Sequence, residues 1–267
     1  MLEELIKIVR DAGELILSAH DIANGVQEKS SHVDLVTVYD PLVQEQLRHA
    51  LLALLPEAGF LGEEEAVHDI EGKRAVFIVD PIDGTTNFIR GLHHSCISVG
   101  LMLDGVMEYG VVYNPYLDEL FTAKRSHGAF LNGTPLHVTD AALQDSLVLF
   151  GSAIYYRETI PATLRFVEEL LPQTLDFRRG GSAALDFCYL AAGRADLFFE
   201  CCLCPWDYAA GSLIVTEAGG VVTALDGSPL RLTERCSVAV GNPHNHPALL
   251  AAAARIGAEP DMKGRIR

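Results

Sequence analysis

The pattern of apolar residues predicts a mixed fold, α+β passing into α/β, in two sub-domains over residues 1–140 and 141–267, each with helices laid on sheets. Three observations carry that prediction. Two amphipathic helical stretches open the chain, apolar strands joined by tight turns run on to about residue 135, and beyond residue 145 short strands alternate with helices. The change of pattern sets a boundary near residues 138–144, and a cleft between the halves is the natural place for a site.

Leu2, Leu5, Ile6, Val9, Ala12, Ile16 and Ala19 recur at helical spacing and predict an N-terminal amphipathic helix. A second helix is expected from Asp40-Pro41, with the acid as N-cap and the proline at the first helical position, through Val43, Leu47 and Leu51 to about Pro56. The loop Lys29 to Asp34 lies between them. Gly59-Phe60-Leu61 reads as a short strand, and the apolar run up to Val79 as a buried one over 74–79. Strands near 95–103, 106–113 and 119–123, with Asp104-Gly105 and Asn132-Gly133 as hairpin turns, predict an antiparallel sheet. The second half alternates strand 146–150, helix 157–171, strand 174–178, helix 182–192, strand 195–199 and helix 205–218, ended by Gly219-Gly220. Strands near 221–224 and 237–240, a helix from about Pro247 to Ile256 and a loose tail from Glu259 to Arg267 complete the expectation.

A chain of 267 residues with 49% hydrophobic and 21% charged content can build a sizeable core. Its formal charge of -16, with no basic cluster longer than Arg178-Arg179 or Lys124-Arg125, argues against a broad nucleic-acid-binding face and for a small-molecule partner. The start lacks a basic region followed by a long apolar one, and no stretch reaches membrane-spanning length, so a cytoplasmic location is expected. Cys96, Cys188, Cys201, Cys202, Cys204 and Cys236 form no paired C-x-x-C framework. A zinc site at Cys201, Cys202 and Cys204 lacks a completing pair, and reduced, mostly buried thiols are expected instead.

The chemistry concentrates in Asp80-Pro81-Ile82-Asp83-Gly84-Thr85-Thr86-Asn87-Phe88, at the end of the buried strand. Asp80 and Asp83 repel each other unless a cation lies between them, and carboxylate oxygens suit hard ions such as Mg2+. Gly84 permits close backbone approach, and the amides from Gly84 to Thr86 open a helix and offer donors to an anion. Glu63-Glu64-Glu65 is either a solvated turn or the source of an inward ligand. Asp207, in the first turn after Cys204-Pro205, is either a further ligand or an acid that serves the helix N-terminus.

Taken together, Leu61-Gly62-Glu63-Glu64, the Asp80–Phe88 run, Pro205-Trp206-Asp207 through Gly220, and Lys29-Ser30-Ser31 leading to Asp34-Leu35-Val36-Thr37 and Asp40 resemble the inositol monophosphatase family of Mg2+-dependent, lithium-sensitive phosphomonoesterases, over residues 2 to 256. The resemblance implies a layered αβαβα sandwich, as in inositol monophosphatase and fructose-1,6-bisphosphatase, and hydrolysis of a phosphate monoester, foremost inositol monophosphate. It implies a first Mg2+ on Glu63, Asp80 and the Ile82 carbonyl, a second on Asp80, Asp83 and Asp207, and a weaker third leaning on Glu63. Mn2+ is a possible substitute, and Li+ and Ca2+ are expected inhibitors. The attacking group would be a metal-bound water held by Glu63 and Thr85, with Asp40 accepting from Thr85. Phosphate would be gripped by the Gly84 and Thr85 amides and the alcohol by Glu200 and Ala183, with Ser182 near, and Asp83, Thr86 and Asp207 would also border the substrate. Lys29 matches a family position beside the metal loop. A homodimer is the family expectation.

Cys201 and Cys202 depart from the small or apolar residues expected after Glu200, which leaves the pocket's shape open. His93-His94 are read as loop residues, His244 and His246 as helix-entry residues, and Arg178-Arg179 as either an anion or subunit contact or plain surface. A phosphoaspartate mechanism is disfavoured because it needs D-x-D-x-T, whereas these acids are separated by two residues. Within the superfamily the rivals are fructose-1,6-bisphosphatase, adenosine 3′,5′-bisphosphate nucleotidase and histidinol-phosphatase. A regulatory binding protein that keeps the fold is the alternative of a different class.

Overall fold

The structure is a computed structural model that describes residues 1–29, 32–65 and 68–257. Ser30 and Ser31 of the Lys29 motif, and the tail expected from Glu259, lie outside the described residues.

The elements run α1 (Leu2–Leu17), β1 (Gln27–Glu28), β2 (Leu35–Val36), α2 (Tyr39–Leu54), β3 (Gly59–Gly62), β4 (Ala75–Asp83), α3 (Thr85–Ile89), β5 (Cys96–Leu103), β6 (Val106–Asn114), β7 (Glu119–Lys124), β8 (Ala129–Leu131) and β9 (Thr134–Pro135). They continue with β10 (Leu147–Phe150), α4 (Ile160–Leu170), β11 (Asp176–Arg178), α5 (Ala183–Ala191), β12 (Leu197–Leu203), α6 (Pro205–Glu217), β13 (Val221–Thr223), β14 (Cys236–Gly241) and α7 (His246–Ile256). Seven strands, β3 to β9, form one sheet in chain order, and five form another in the order β11-β10-β12-β14-β13.

Alternation along the strands stacks these sheets into five layers, because successive side chains leave opposite faces. Phe77 and Val79 of β4 pack with Leu5, Val9, Leu47 and Leu51 of α1 and α2. Their neighbours Val76 and Ile78 point the other way, into a core with Phe187 of α5 and Ile214 of α6. Phe198 of β12 closes that core from the second sheet, while Leu197 and Phe199 face Phe166 of α4 and Leu249 of α7. The order is therefore α1/α2, seven-stranded sheet, α5/α6, five-stranded sheet, α4/α7, an αβαβα sandwich. The helices α5 and α6 are apolar all round because sheets cover them on both sides.

Four local expectations change. The first sheet is antiparallel from β4 to β9, but β3 pairs with β4 in parallel, since the 63–74 connection carries the chain back to the same end. Asp40 is not an N-cap: α2 begins at Tyr39 with Val38 before it, and the Asp40 carboxylate accepts from the Thr37 amide (2.8 Å) and hydroxyl (2.5 Å). The buried strand does not stop at residue 79: β4 continues through Asp80 and Pro81 to Asp83, with a register shift against β5 between Asp80 and Asp83. A proline cannot donate to the ladder, and the irregularity accommodates it. Finally, β12 does not stop at residue 199 but runs through Glu200, Cys201 and Cys202 to Leu203, because buried thiols pack as small apolar groups.

Candidate metal centre

The irregular end of β4 and the first turn of α6 bring three acids together. Asp80, Asp83 and Asp207 each offer an oxygen, and these oxygens lie within 4.8 Å of one another. Asp80 and Asp83 are buried, at 2% and 8% exposure, so their charges cannot be shed into water.

Each carboxylate is held by hydrogen bonds on one side. The Ile82 amide donates to Asp80 Oδ1 at 3.0 Å, bridging the strand irregularity. Asp83 Oδ2 accepts from the Ser182 hydroxyl at 2.6 Å and from the Ala184 amide at 2.7 Å, both at the start of α5. Asp207 Oδ2 accepts from the Cys204 amide at 2.7 Å in a capping box, so this acid serves its helix N-terminus with one oxygen while it joins the triad.

Burial first, then the charges of Glu63, Asp83 and Asp207, push Asp80 well above the usual carboxylate range. Burial and the charges of Asp83 and Glu63 do the same to Asp207. Asp83 is pushed up to about 6 by burial, against the pull of its Ser182 and Ala184 donors. Three crowded acids, two buried and one half-buried, with oxygen donors only are a fit for a hard divalent cation, whose charge would replace the missing compensation.

Glu63 lies at the edge of the triad. It leaves β3 with its amide donating to Val79 O (3.2 Å), and its carboxylate accepts from Lys29 Nζ at 2.9 Å. Lys29 also pairs with Glu64, whose carboxyl is pushed up to about 7 by burial and by Glu63. The Thr85 hydroxyl lies between Asp40 Oδ1 at 3.3 Å and the Ile82 carbonyl at 3.2 Å. Asp40 is buried, and that burial raises its carboxyl.

Gly84 precedes α3 at φ 91°, and a Cβ there would come within 3.0 Å of His94 O and 3.2 Å of Gly181 O. Thr86 follows, exposed. Asn87 ties the surrounding segments, donating to His94 O (2.7 Å) and Gly180 O (3.0 Å), a role that no local pattern announces. Ser182 is buried as the N-cap of α5, and Ala183 opens that helix. The Ser182 hydroxyl is thus engaged by Asp83, and its part is to position that acid. Glu200 lies inside β12 and accepts from the Ala153 amide at 2.8 Å, and burial pushes its carboxyl up to about 7.

The remaining candidates lie elsewhere. Among the described residues no other group of three thiols, imidazoles or carboxylates has metal-like spacing, and Cys201, Cys202 and Cys204 are free thiols, the first two buried and the third half-buried. His93 stacks on Tyr116, His94 meets the edge of Tyr189, His244 pairs with Asp140 and His246 opens α7. Arg178 pairs with Asp176, and Arg179 reaches Ser152. A surface groove of about 580 Å³ between α1 and β7–β9, bordered by the Arg10–Asp118 ion pair, holds none of the triad acids. No helix among the described residues is long and apolar enough to cross a membrane.

Comparison with known proteins matches residues 1–258 to the model of the inositol monophosphatase family. The chain is 37% identical over 254 residues to Nus factor SuhB of Escherichia coli (strain K12), covering 94% of each. It is 38% identical over 264 residues to inositol monophosphatase 1 of Solanum lycopersicum, covering 94% of this chain and 95% of the relative. Among solved structures, extragenic suppressor protein suhB from Bartonella henselae superposes with a TM-score of 0.87 at 32% identity, covering 97% of this chain and 98% of the other.

Proposed function

We infer that this chain, which belongs to the inositol monophosphatase family, hydrolyses a phosphate monoester, foremost an inositol monophosphate, to the free alcohol and phosphate. The observation that carries the reading is the largely buried Asp80–Asp83–Asp207 triad, with ligand oxygens within 4.8 Å of one another, in a chain of this family.

Glu63, Asp80 and the Ile82 carbonyl would hold one Mg2+, Asp80, Asp83 and Asp207 a second, and Glu63 would support a third. Bound there, the cations supply positive charge to the phosphoryl oxygens and the departing alkoxide and make a water more acidic. The protein's own groups do the rest. Lys29 steadies Glu63, and Asp40 with the Ile82 carbonyl aims the Thr85 hydroxyl, so Glu63 and Thr85 hold the attacking water in line. Ser182 and the Ala184 amide fix one oxygen of Asp83 and leave the other for the site. The amides of Gly84, Thr85 and Thr86 would donate to phosphate oxygens, and Glu200 together with Ala183 would receive the alcohol, the acid accepting from one of its hydroxyls. The same reading carries inhibition by Li+ and Ca2+, activity with Mn2+, a cytoplasmic location and a homodimer as expectations.

The test is phosphate release from inositol 1-phosphate, fructose 1,6-bisphosphate, adenosine 3′,5′-bisphosphate and histidinol phosphate as Mg2+ is varied and Li+ added. Release that needs Mg2+ and is fastest from the inositol ester supports the reading, and a different preferred ester moves the substrate assignment within the superfamily. The similarity to Nus factor SuhB favours a second reading, in which the chain acts as a protein factor that keeps the fold. Purified protein that releases no phosphate from any of the four esters would leave that second reading in place.

A further inference from the structure

Two adjacent glycines lead into α5, and each is required for a different reason. Gly181 takes φ 87°, a backbone that favours glycine, whereas Gly180 keeps a negative φ open to any residue. What Gly180 lacks is room. A Cβ there would come 2.4 Å from Asp186 Oδ1 and 3.0 Å from His94 Nε2. A side chain is excluded because two polar groups, one from α5 and one from the loop before β5, converge on the same point.

Both groups are short of partners. Asp186 is 2% exposed with only the charge of Arg179 to oppose its burial, and His94 Nε2 is buried with no hydrogen-bond partner among the described residues. Burial first, then the charges of Glu200 and Asp83, raise the Asp186 carboxyl well above its usual range. Burial lowers His94 against the charge of Glu119, so the imidazole is neutral and the acid keeps its proton. The His94 ring is set edge-on to Tyr189, one turn along α5 from Asp186, and Arg194 lies over that tyrosine ring.

The same two segments crowd the phosphate end of the site. His94 O and Gly181 O stand 3.0 and 3.2 Å from where a Gly84 Cβ would be, and Asn87 of α3 donates to both His94 O and Gly180 O. Asn87 thus ties the segments through their backbones. We propose that Asp186 and His94 are positioning residues, joined over Gly180 through one bridging water, that lock residues 94 and 180–181 against Gly84 and so fix the amides that receive phosphate. The spacing suits a water, since both atoms lie within 3.0 Å of one point yet no hydrogen bond joins them directly. The acid donates to the water and the water to Nε2, which leaves the imidazole proton on Nδ1 and satisfies the pair without a buried charge. The inference rests on the hydrolase reading above.

The test measures affinity for inorganic phosphate by calorimetry with Mg2+ present, which needs no turnover, beside kcat and KM for inositol 1-phosphate. The proteins are the wild type, Asp186→Leu, His94→Phe, the double variant, Asp186→Asn and Gly180→Ala. Each of the first two single variants should weaken phosphate about tenfold and raise KM by a similar factor, with kcat changed less than about threefold, and the double variant should be no weaker than either. Gly180→Ala, which fills the gap with a methyl and spares both side chains, should act like them. Asp186→Asn, an isostere of the protonated acid, should keep the wild-type affinity and the wild-type nitrogen NMR shift of His94 Nε2, a shift that Asp186→Leu should move. Single variants that melt earlier but bind phosphate as the wild type does overturn this inference alone, as does a double variant that loses the product of the single effects. A wild type that neither binds phosphate with Mg2+ nor releases it from the ester overturns the hydrolase reading and this one with it.

Discussion

Replacing Ser182 by alanine removes the 2.6 Å hydroxyl donor to Asp83 Oδ2 and leaves the acid with the backbone amides of Ala183 and Ala184 and the distant Cys96 thiol. A hydrogen bond to a buried charged group contributes about 1.5–3 kcal/mol, and one pKa unit corresponds to about 1.4 kcal/mol, so the Asp83 carboxyl should rise by roughly one to two units. It starts at about 6, so in Ser182→Ala a large share would carry a proton at neutral pH that a cation must displace. The assay is phosphate release from inositol 1-phosphate as a function of Mg2+ at several pH values. The Mg2+ concentration for half-maximal rate should rise about two- to tenfold at pH 7, and the acid limb of the pH profile should move up by about one to two units, with recovery at higher pH or Mg2+. Ser182→Thr, which keeps the hydroxyl, should restore both. Loss of the N-cap costs about 0.5–2 kcal/mol of stability as well, a fall in melting temperature that the Mg2+ and pH readouts separate from the site effect. Unchanged Mg2+ dependence together with an unchanged acid limb in Ser182→Ala would refute the reasoning.

Thr85→Ala removes the hydroxyl held between Asp40 and Ile82 and should lower kcat at least about a hundredfold in steady-state assays, with the Mg2+ requirement retained. Gly151→Ala drives a Cβ into the Glu200 carboxylate and should destabilise by about 1–3 kcal/mol in denaturant titrations, through overpacking. The raised carboxyls of Asp80, Asp83 and Asp207 bind protons more tightly folded than unfolded, so their contribution to stability is full below the unfolded value near pH 4 and is lost as pH rises through the folded ones, that of Asp83 near 6. Metal-free protein should therefore lose melting temperature from about pH 4 to 8 in scanning calorimetry, and saturating Mg2+ should cancel most of that loss.

What could be read in advance divides by range. The helical spacing from Leu2 to Ile16, the Asp104-Gly105 hairpin and the buried run Ala75–Val79 are local patterns with local physical causes, and each appears as an element of the fold. The crowding of Asp80 and Asp83 was equally legible, since two acids so close to a glycine-led helix start imply a cation. Boundaries failed where side chains act against their usual propensity. Asp40 turns its carboxylate back to Thr37 because Thr85 approaches from a distant part of the chain. β12 carries Glu200 through its interior because Ala153 supplies a donor. The support of the centre was the least legible part: Ser182 meets Asp83 across 99 residues, and Asn87 joins Gly180 across 93. Such pairings depend on the stacking of the two sheets about α5 and α6, which no short segment encodes.

The central claim is that the triad performs Mg2+-dependent ester hydrolysis, and the rate of phosphate release from inositol 1-phosphate at saturating Mg2+ by the wild type and by Asp83→Asn tests it most directly. Removing one ligand charge from a site whose three oxygens lie within 4.8 Å should lower the rate by several orders of magnitude while the circular dichroism spectrum stays that of the wild type. A folded Asp83→Asn protein that keeps wild-type activity would contradict the assignment of the centre.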